Sequence, residues 1–160
     1  MVEINKTITL KLIFLISIIA LSSAFFIEYV LGHQPCNLCI LERIPYLLAL
    51  IIIVLNYKFI NLEKYFILSL ILIFLAATIL SLYHLGIEQG FIKESLVCDL
   101  KKGSDLLSKE DILKQLQEKN ISCKDVTFKI MGFSLTSYNI LISLLITISS
   151  ARIYLNYDKN

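Results

Sequence analysis

Tyr65-Phe66-Ile67-Leu68-Ser69-Leu70-Ile71-Leu72-Ile73-Phe74-Leu75-Ala76-Ala77-Thr78-Ile79-Leu80-Ser81-Leu82-Tyr83-His84-Leu85 contains no Asp, Glu, Lys or Arg. At about 1.5 Å per residue, a helix of this length crosses the ~30 Å hydrocarbon core of a bilayer. A single segment in lipid can satisfy its backbone polar groups only as a helix, so the stretch predicts a membrane span. Three more apolar stretches flank it. One runs from about Leu10 to Leu31, interrupted by Lys11 and, near its far end, Glu28. Another covers Ile40–Leu55 and carries Glu42, Arg43 and Pro45 in its first turns. The last covers Leu135–Leu155, with Asn139 and Arg152 toward its ends. The expected architecture is an all-α membrane protein: a four-transmembrane-helix bundle forming a single domain over 1–160, with one long loop at 86–134.

Composition agrees. Of 160 residues, 57% are hydrophobic and 18% charged, and the mean hydropathy is +0.76. The charges gather between the apolar runs, as in membrane proteins. A net charge of +2, with no block of Lys and Arg, argues against a nucleic-acid partner. Lys6, the run Leu12–Leu21 and Ser22-Ser23-Ala24 imitate a signal peptide. Apolar residues continue through Phe25, Phe26, Ile27, Tyr29, Val30 and Leu31, so an uncleaved span is expected. In the long loop, Ser108 and Asp111 form a capping-box signature ahead of Ile112, Leu113 and Leu116. That pattern suits a short amphipathic helix, either on the membrane surface or in a solvated loop.

Basic residues do not orient the bundle. With both termini inside, Lys6, Lys11, Lys58, Lys64, Arg152 and Lys159 fall on the cytoplasmic side, and the other nine of the fifteen fall outside. The positive-inside rule counts Lys and Arg alone, so it favours neither orientation. Orientation has to come from the cysteines.

Pro35-Cys36-Asn37-Leu38-Cys39-Ile40-Leu41-Glu42-Arg43 carries the chemistry. Cysteines three apart in a first helical turn can meet disulfide geometry. The free N–H groups and positive dipole of a helix start favour a thiolate there. Arg43, four residues after Cys39, is expected one turn deeper on the same face, where it would stabilise a Cys39 thiolate and an anionic ring beside it. Against this, the cysteines could be small buried apolar residues and Arg43 an interfacial side chain. The second pair, Cys98 and Cys123, lies in the long loop. It could be a structural bridge, worth about 3–4 kcal/mol in the chain-entropy model, or join the first pair in a zinc site. Such zinc sites usually show two CxxC knuckles, and only one exists here. If both pairs are disulfides they face an oxidising compartment, which puts the loop in the periplasm and both termini in the cytoplasm.

A CxxC at the start of the second span, followed by Ile40-Leu41-Glu42-Arg43, resembles the disulfide bond formation protein B (DsbB) family. Tyr83-His84-Leu85-Gly86-Ile87-Glu88, Cys123-Lys124-Asp125-Val126-Thr127-Phe128 and Gly132-Phe133-Ser134 extend the resemblance over nearly the whole chain. The chain departs from the family in having no Trp, and its tail after Leu155 is short. The resemblance implies a multi-pass inner-membrane thiol:quinone oxidoreductase, monomeric, supporting disulfide formation in exported proteins. Its redox-active disulfides would be Cys36–Cys39 and Cys98–Cys123. Cys98 would form the mixed disulfide with a periplasmic DsbA-like thioredoxin-fold partner, and Cys123 would exchange with Cys36. Cys39 would pass electrons to a quinone, ubiquinone or menaquinone, beside Arg43. Glu42 would help set Arg43, and His84 would line the quinone pocket or anchor the interface. No resident metal is implied. DsbA-type oxidases have potentials near about −120 mV, a general figure rather than one obtained for this chain, so reoxidising them needs a strong electron sink. The rival readings are a vitamin K epoxide reductase-like quinone reductase, where the loop pair precedes the CxxC, and a non-enzymatic metal-binding or assembly subunit.

Overall fold

The computed structural model describes residues 6–93, 123, 129–130 and 132–157. Its helices are α1 (Lys6–Tyr29), α2 (Asn37–Leu41), α3 (Ile44–Lys58), α4 (Glu63–Glu88) and α5 (Leu135–Tyr157), with a single 3₁₀ turn, Ile60–Leu62, before α4. A two-residue antiparallel ladder, β1 (Lys129–Ile130) with β2 (Phe133–Ser134), leads into α5. Gly132, at φ 87°, makes the left-handed turn between the strands, a conformation that glycine adopts without steric cost. Among the described residues, four segments are long and apolar enough to cross a membrane: α1, α2–α3 taken together (Asn37–Lys58), α4 and α5. The protein is therefore an all-α, multi-pass membrane protein. The loop helix expected after Ser108, and Cys98, lie outside the described residues.

The helices outrun the apolar stretches at most ends. The second span starts at Asn37 rather than Ile40, which puts Cys39 inside the helical segment and Cys36 at its N-cap. At the opposite end of the bundle Lys6 of α1 and Glu63 of α4 form an ion pair at 2.7 Å. Between these ends the core holds Leu10 and Ile13 of α1, Tyr46, Ala49 and Ile53 of α3, Leu70, Phe74 and Ala77 of α4, and Ile146 of α5. The Tyr46 and Phe74 rings meet edge to face, 5.5 Å between centroids, a favoured aromatic geometry. Large apolar side chains such as Leu12, Ile51, Leu72 and Leu145 point outward, where lipid receives them.

The most extensive interface joins α4 and α5. It is built from small residues, Ala77, Thr78 and Ser81 facing Thr136, Ser143 and Thr147, all buried. Lipid removes the hydrophobic drive for helix association, and small residues restore it by letting backbones approach closely. Two of the hydroxyls are satisfied within their own helices: Thr78 donates to the Phe74 carbonyl and Thr147 to the Ser143 carbonyl, each at 2.8 Å. Thr78 also reaches Ser143 across the interface at 3.0 Å.

A cysteine pair backed by a buried histidine

Local sequence explains how the cysteines are presented. Gly32, at φ 72°, ends α1, and an extended segment carries the chain to Cys36, the N-cap of α2. The Cys36 sulphur accepts from the Cys39 N–H at 3.3 Å, filling one of the unsatisfied donors of the helix start. The two sulphurs lie 2.8 Å apart. Closing to the ~2.05 Å of an S–S bond needs only a small rotation.

α2 stops at Leu41 because Pro45 follows four residues later. Pro45 has no N–H to offer the Leu41 carbonyl, and its ring would clash with that carbonyl in a continuous helix. The backbone tightens through Glu42 and Arg43, where the Arg43 N–H bonds the Ile40 carbonyl, and α3 starts afresh at Ile44. This break redirects two side chains. Arg43 turns to α1, pairing with Glu28 and lying over the Phe25 ring, 5.2 Å from its centroid. The expectation that Glu42 sets Arg43 is therefore corrected: Glu28 holds the guanidinium, and Glu42 points the other way, into the bundle.

There Glu42 meets His84, which is 1% exposed and so no interfacial anchor. His84 Nδ1 donates to Glu42 Oε1 at 2.9 Å, and Asn139 of α5 donates to Glu42 Oε2 at 3.0 Å. A carboxylate is acceptor-only, so Glu42 holds a proton on Nδ1, and Nε2 is the nitrogen turned to the cysteine pair. Nε2 faces the Cys36 sulphur at 3.5 Å. Asn139 also donates to Ser81 at 2.8 Å and accepts from the Tyr46 hydroxyl. Thr136 caps the arrangement, donating to Glu88 Oε1 at 2.6 Å. In the sequence, Asn139 and Glu28 stand out only as interruptions of apolar runs. The signal that could have found them is that polar side chains inside spans are costly and commonly functional.

The thiol environment differs from the helix-dipole expectation. Cys36 lies just before the second span, and its thiol is pushed up, first by its hydrogen bond with Cys39 and next by burial, with the contact to His84 opposing both. A helix of five residues offers little dipole to counter this. Cys36 as a nucleophile thus needs a base, and His84 is the group beside it.

The long loop returns to the same place. Cys123 is 3% exposed and belongs to one buried cluster with Cys36, Leu38 and Ile87, bordered by Cys39, Leu41, Leu80 and Tyr83. Of the expected site residues, the structure thus brings Cys36, Cys39, His84, Glu42 and Cys123 together and sets Arg43 on the α1 side.

The model of the family described as Disulfide bond formation protein DsbB matches residues 6–153. An uncharacterized protein, RP370, of Rickettsia prowazekii (strain Madrid E) is 36% identical over 145 residues, spanning 89% of this chain and 84% of that protein. No solved structure matches the chain.

Proposed function

The chain belongs to the DsbB family of disulfide-bond-forming membrane thiol oxidoreductases, and from that premise we propose that it reoxidises a periplasmic DsbA-like protein and passes the electrons to a membrane quinone. The observation that carries this reading is the burial of Cys123, a loop cysteine, in one cluster with Cys36.

The relay balances as a series of thiol exchanges. A partner thiolate attacks Cys98, forming a partner–Cys98 bond and breaking Cys98–Cys123, so Cys123 leaves as a thiolate. Cys123 attacks Cys36, breaking Cys36–Cys39, and Cys39 leaves as a thiolate carrying the electron pair. The partner's second thiol then displaces Cys98, which closes on Cys123 and releases Cys36. Cys36, protonated on release because its thiol is pushed up, gives that proton to His84 Nε2 as it closes on Cys39, with Glu42 holding the ring for the transfer. A quinone beside Cys39 supplies the acceptor for two electrons and two protons.

The residues around Cys39 fit such a group. Cys39 is half-buried, and Phe25 of α1, Ile40 of α2 and Ile44 and Leu47 of α3 are exposed apolar side chains, suited to a lipid-soluble ring. Glu28 engages one nitrogen of Arg43, and a planar guanidinium carries further N–H donors for a ring oxygen.

Trapping tests the relay. In the Cys123→Ala variant, Cys98 should accumulate as a mixed disulfide with the reduced DsbA-like protein, resolved on a non-reducing gel and mapped by mass spectrometry, and quinone consumption should stop. A trapped species joined through Cys36 would reverse the order. Orientation is checked separately. Reporter fusions after Asn61 and Asn160 should read cytoplasm, and one after Lys109 periplasm. A periplasmic signal at Asn61 would overturn the placement.

A further inference from the structure

We propose that the reduced CxxC pair and His84 form a binding site for a soft divalent cation of the Zn²⁺ class, occupied only while the pair is in the dithiol state. One ligand atom from each of Cys36, Cys39 and His84 lies within 4.8 Å of the other two. Tetrahedral zinc with bonds of about 2.3 Å to sulphur and 2.0–2.1 Å to nitrogen puts sulphur and nitrogen about 3.5 Å apart. Cys36 Sγ and His84 Nε2 are 3.5 Å apart. The two sulphurs would open from 2.8 Å to about 3.8 Å, a rotation of the half-buried Cys39 side chain.

Two independent features point to a cation. The first is the support behind the histidine. Its Nδ1–H is held by Glu42 at 2.9 Å, the carboxylate–histidine arrangement that orients an imidazole toward a metal and strengthens it as a ligand. The second is Glu88, one turn after His84 on α4. Its Oε1 stands 3.7 Å from His84 Nε2, and its Oε2 is buried without a hydrogen-bond partner among the described residues. That carboxylate borders the cluster on the histidine side, its Oε1 already accepting from Thr136. Two thiolates and an imidazole make a donor set suited to zinc, with the fourth position left to a solvent molecule.

Binding converts two thiols and M²⁺ to a dithiolate–metal centre and releases two protons. Oxidation of the pair to a disulfide removes both thiolate ligands, so the cation is held only between reduction of the pair and its reoxidation. The cation then competes with closure of the Cys36–Cys39 bond and arrests turnover. This inference rests on the relay reading only in that the relay is what leaves the pair reduced.

The test is a titration of the purified full-length protein in detergent with Co²⁺, then Zn²⁺, without quinone or partner protein. The reduced wild type should bind one Co²⁺ with thiolate charge-transfer and tetrahedral d–d absorption, displaced by Zn²⁺. The diamide-oxidised protein should bind none. The Cys98→Ala/Cys123→Ala double variant should bind like the wild type. Glu42→Gln, which keeps a neutral acceptor beside His84, should weaken affinity by roughly 10–100-fold, as loss of an outer-shell carboxylate does. Equal binding by oxidised protein, undiminished affinity in both Glu42→Gln and His84→Ala, or loss of binding in the loop-pair variant would each overturn the site. Because no quinone is present, the site can fail while quinone reduction stands, and the reverse.

Discussion

Replacing Arg43 should raise the apparent Michaelis constant for quinone while leaving exchange between the two cysteine pairs nearly unchanged. A hydrogen bond to a charged group contributes about 1.5–3 kcal/mol, which corresponds to roughly 10–100-fold in binding. Arg43→Ala should show an increase of that order. Arg43→Lys should show a smaller one, because an ammonium keeps the charge near Glu28 but lacks the planar fork that lies over Phe25. Arg43→Ala also leaves Glu28 without its partner on a partly buried site. The Glu28→Gln/Arg43→Ala double variant removes that stranded charge and should retain the quinone defect. The measurement is steady-state quinone reduction by reduced partner protein across a range of quinone concentrations. Wild-type rates at subsaturating quinone in both single variants would end the assignment. Recovery in the double variant would trace the defect to folding.

His84→Ala should act on the other parameter. A positioned base contributes roughly 10²–10⁴-fold, so turnover should fall by at least about 10²-fold with the Michaelis constant for quinone little altered. The cause is local. Cys36 must lose a proton to close on Cys39, its thiol is pushed up by the Cys39 hydrogen bond and by burial, and Nε2 is the acceptor beside it. Mixed-disulfide formation with the partner should persist, since the proposed relay places it at Cys98. Added imidazole should restore part of the rate in His84→Ala, an effect that a purely structural role would not produce. An unchanged turnover number, or a loss confined to quinone affinity, would remove His84 from the thiol step. The contrast between the two variants separates the side of the site that would meet quinone from the side that handles the proton.

Four spans, the CxxC at the start of the second and the second cysteine pair in the long loop were legible from composition and spacing, because each depends on local properties. An uninterrupted apolar run has one backbone solution in lipid, and two cysteines three apart meet on one helical turn whatever surrounds them. What the sequence could not say was where the polar side chains of the spans point. Helical spacing put Arg43 below Cys39 on one face, but Pro45 breaks the helix between them and sends Arg43 to Glu28 and Glu42 to His84. His84, Glu42, Asn139, Ser81 and Tyr46 come from separate segments of the chain, and the gathering of their hydrogen bonds depends on how α3, α4 and α5 pack. The burial of Cys123 in one cluster with Cys36 likewise brings together residues far apart in the chain. Periodicity fixes which residues share a face of one helix. Only the packing of α4 against α3 and α5 decided which faces meet, and so which thiol lies beside His84.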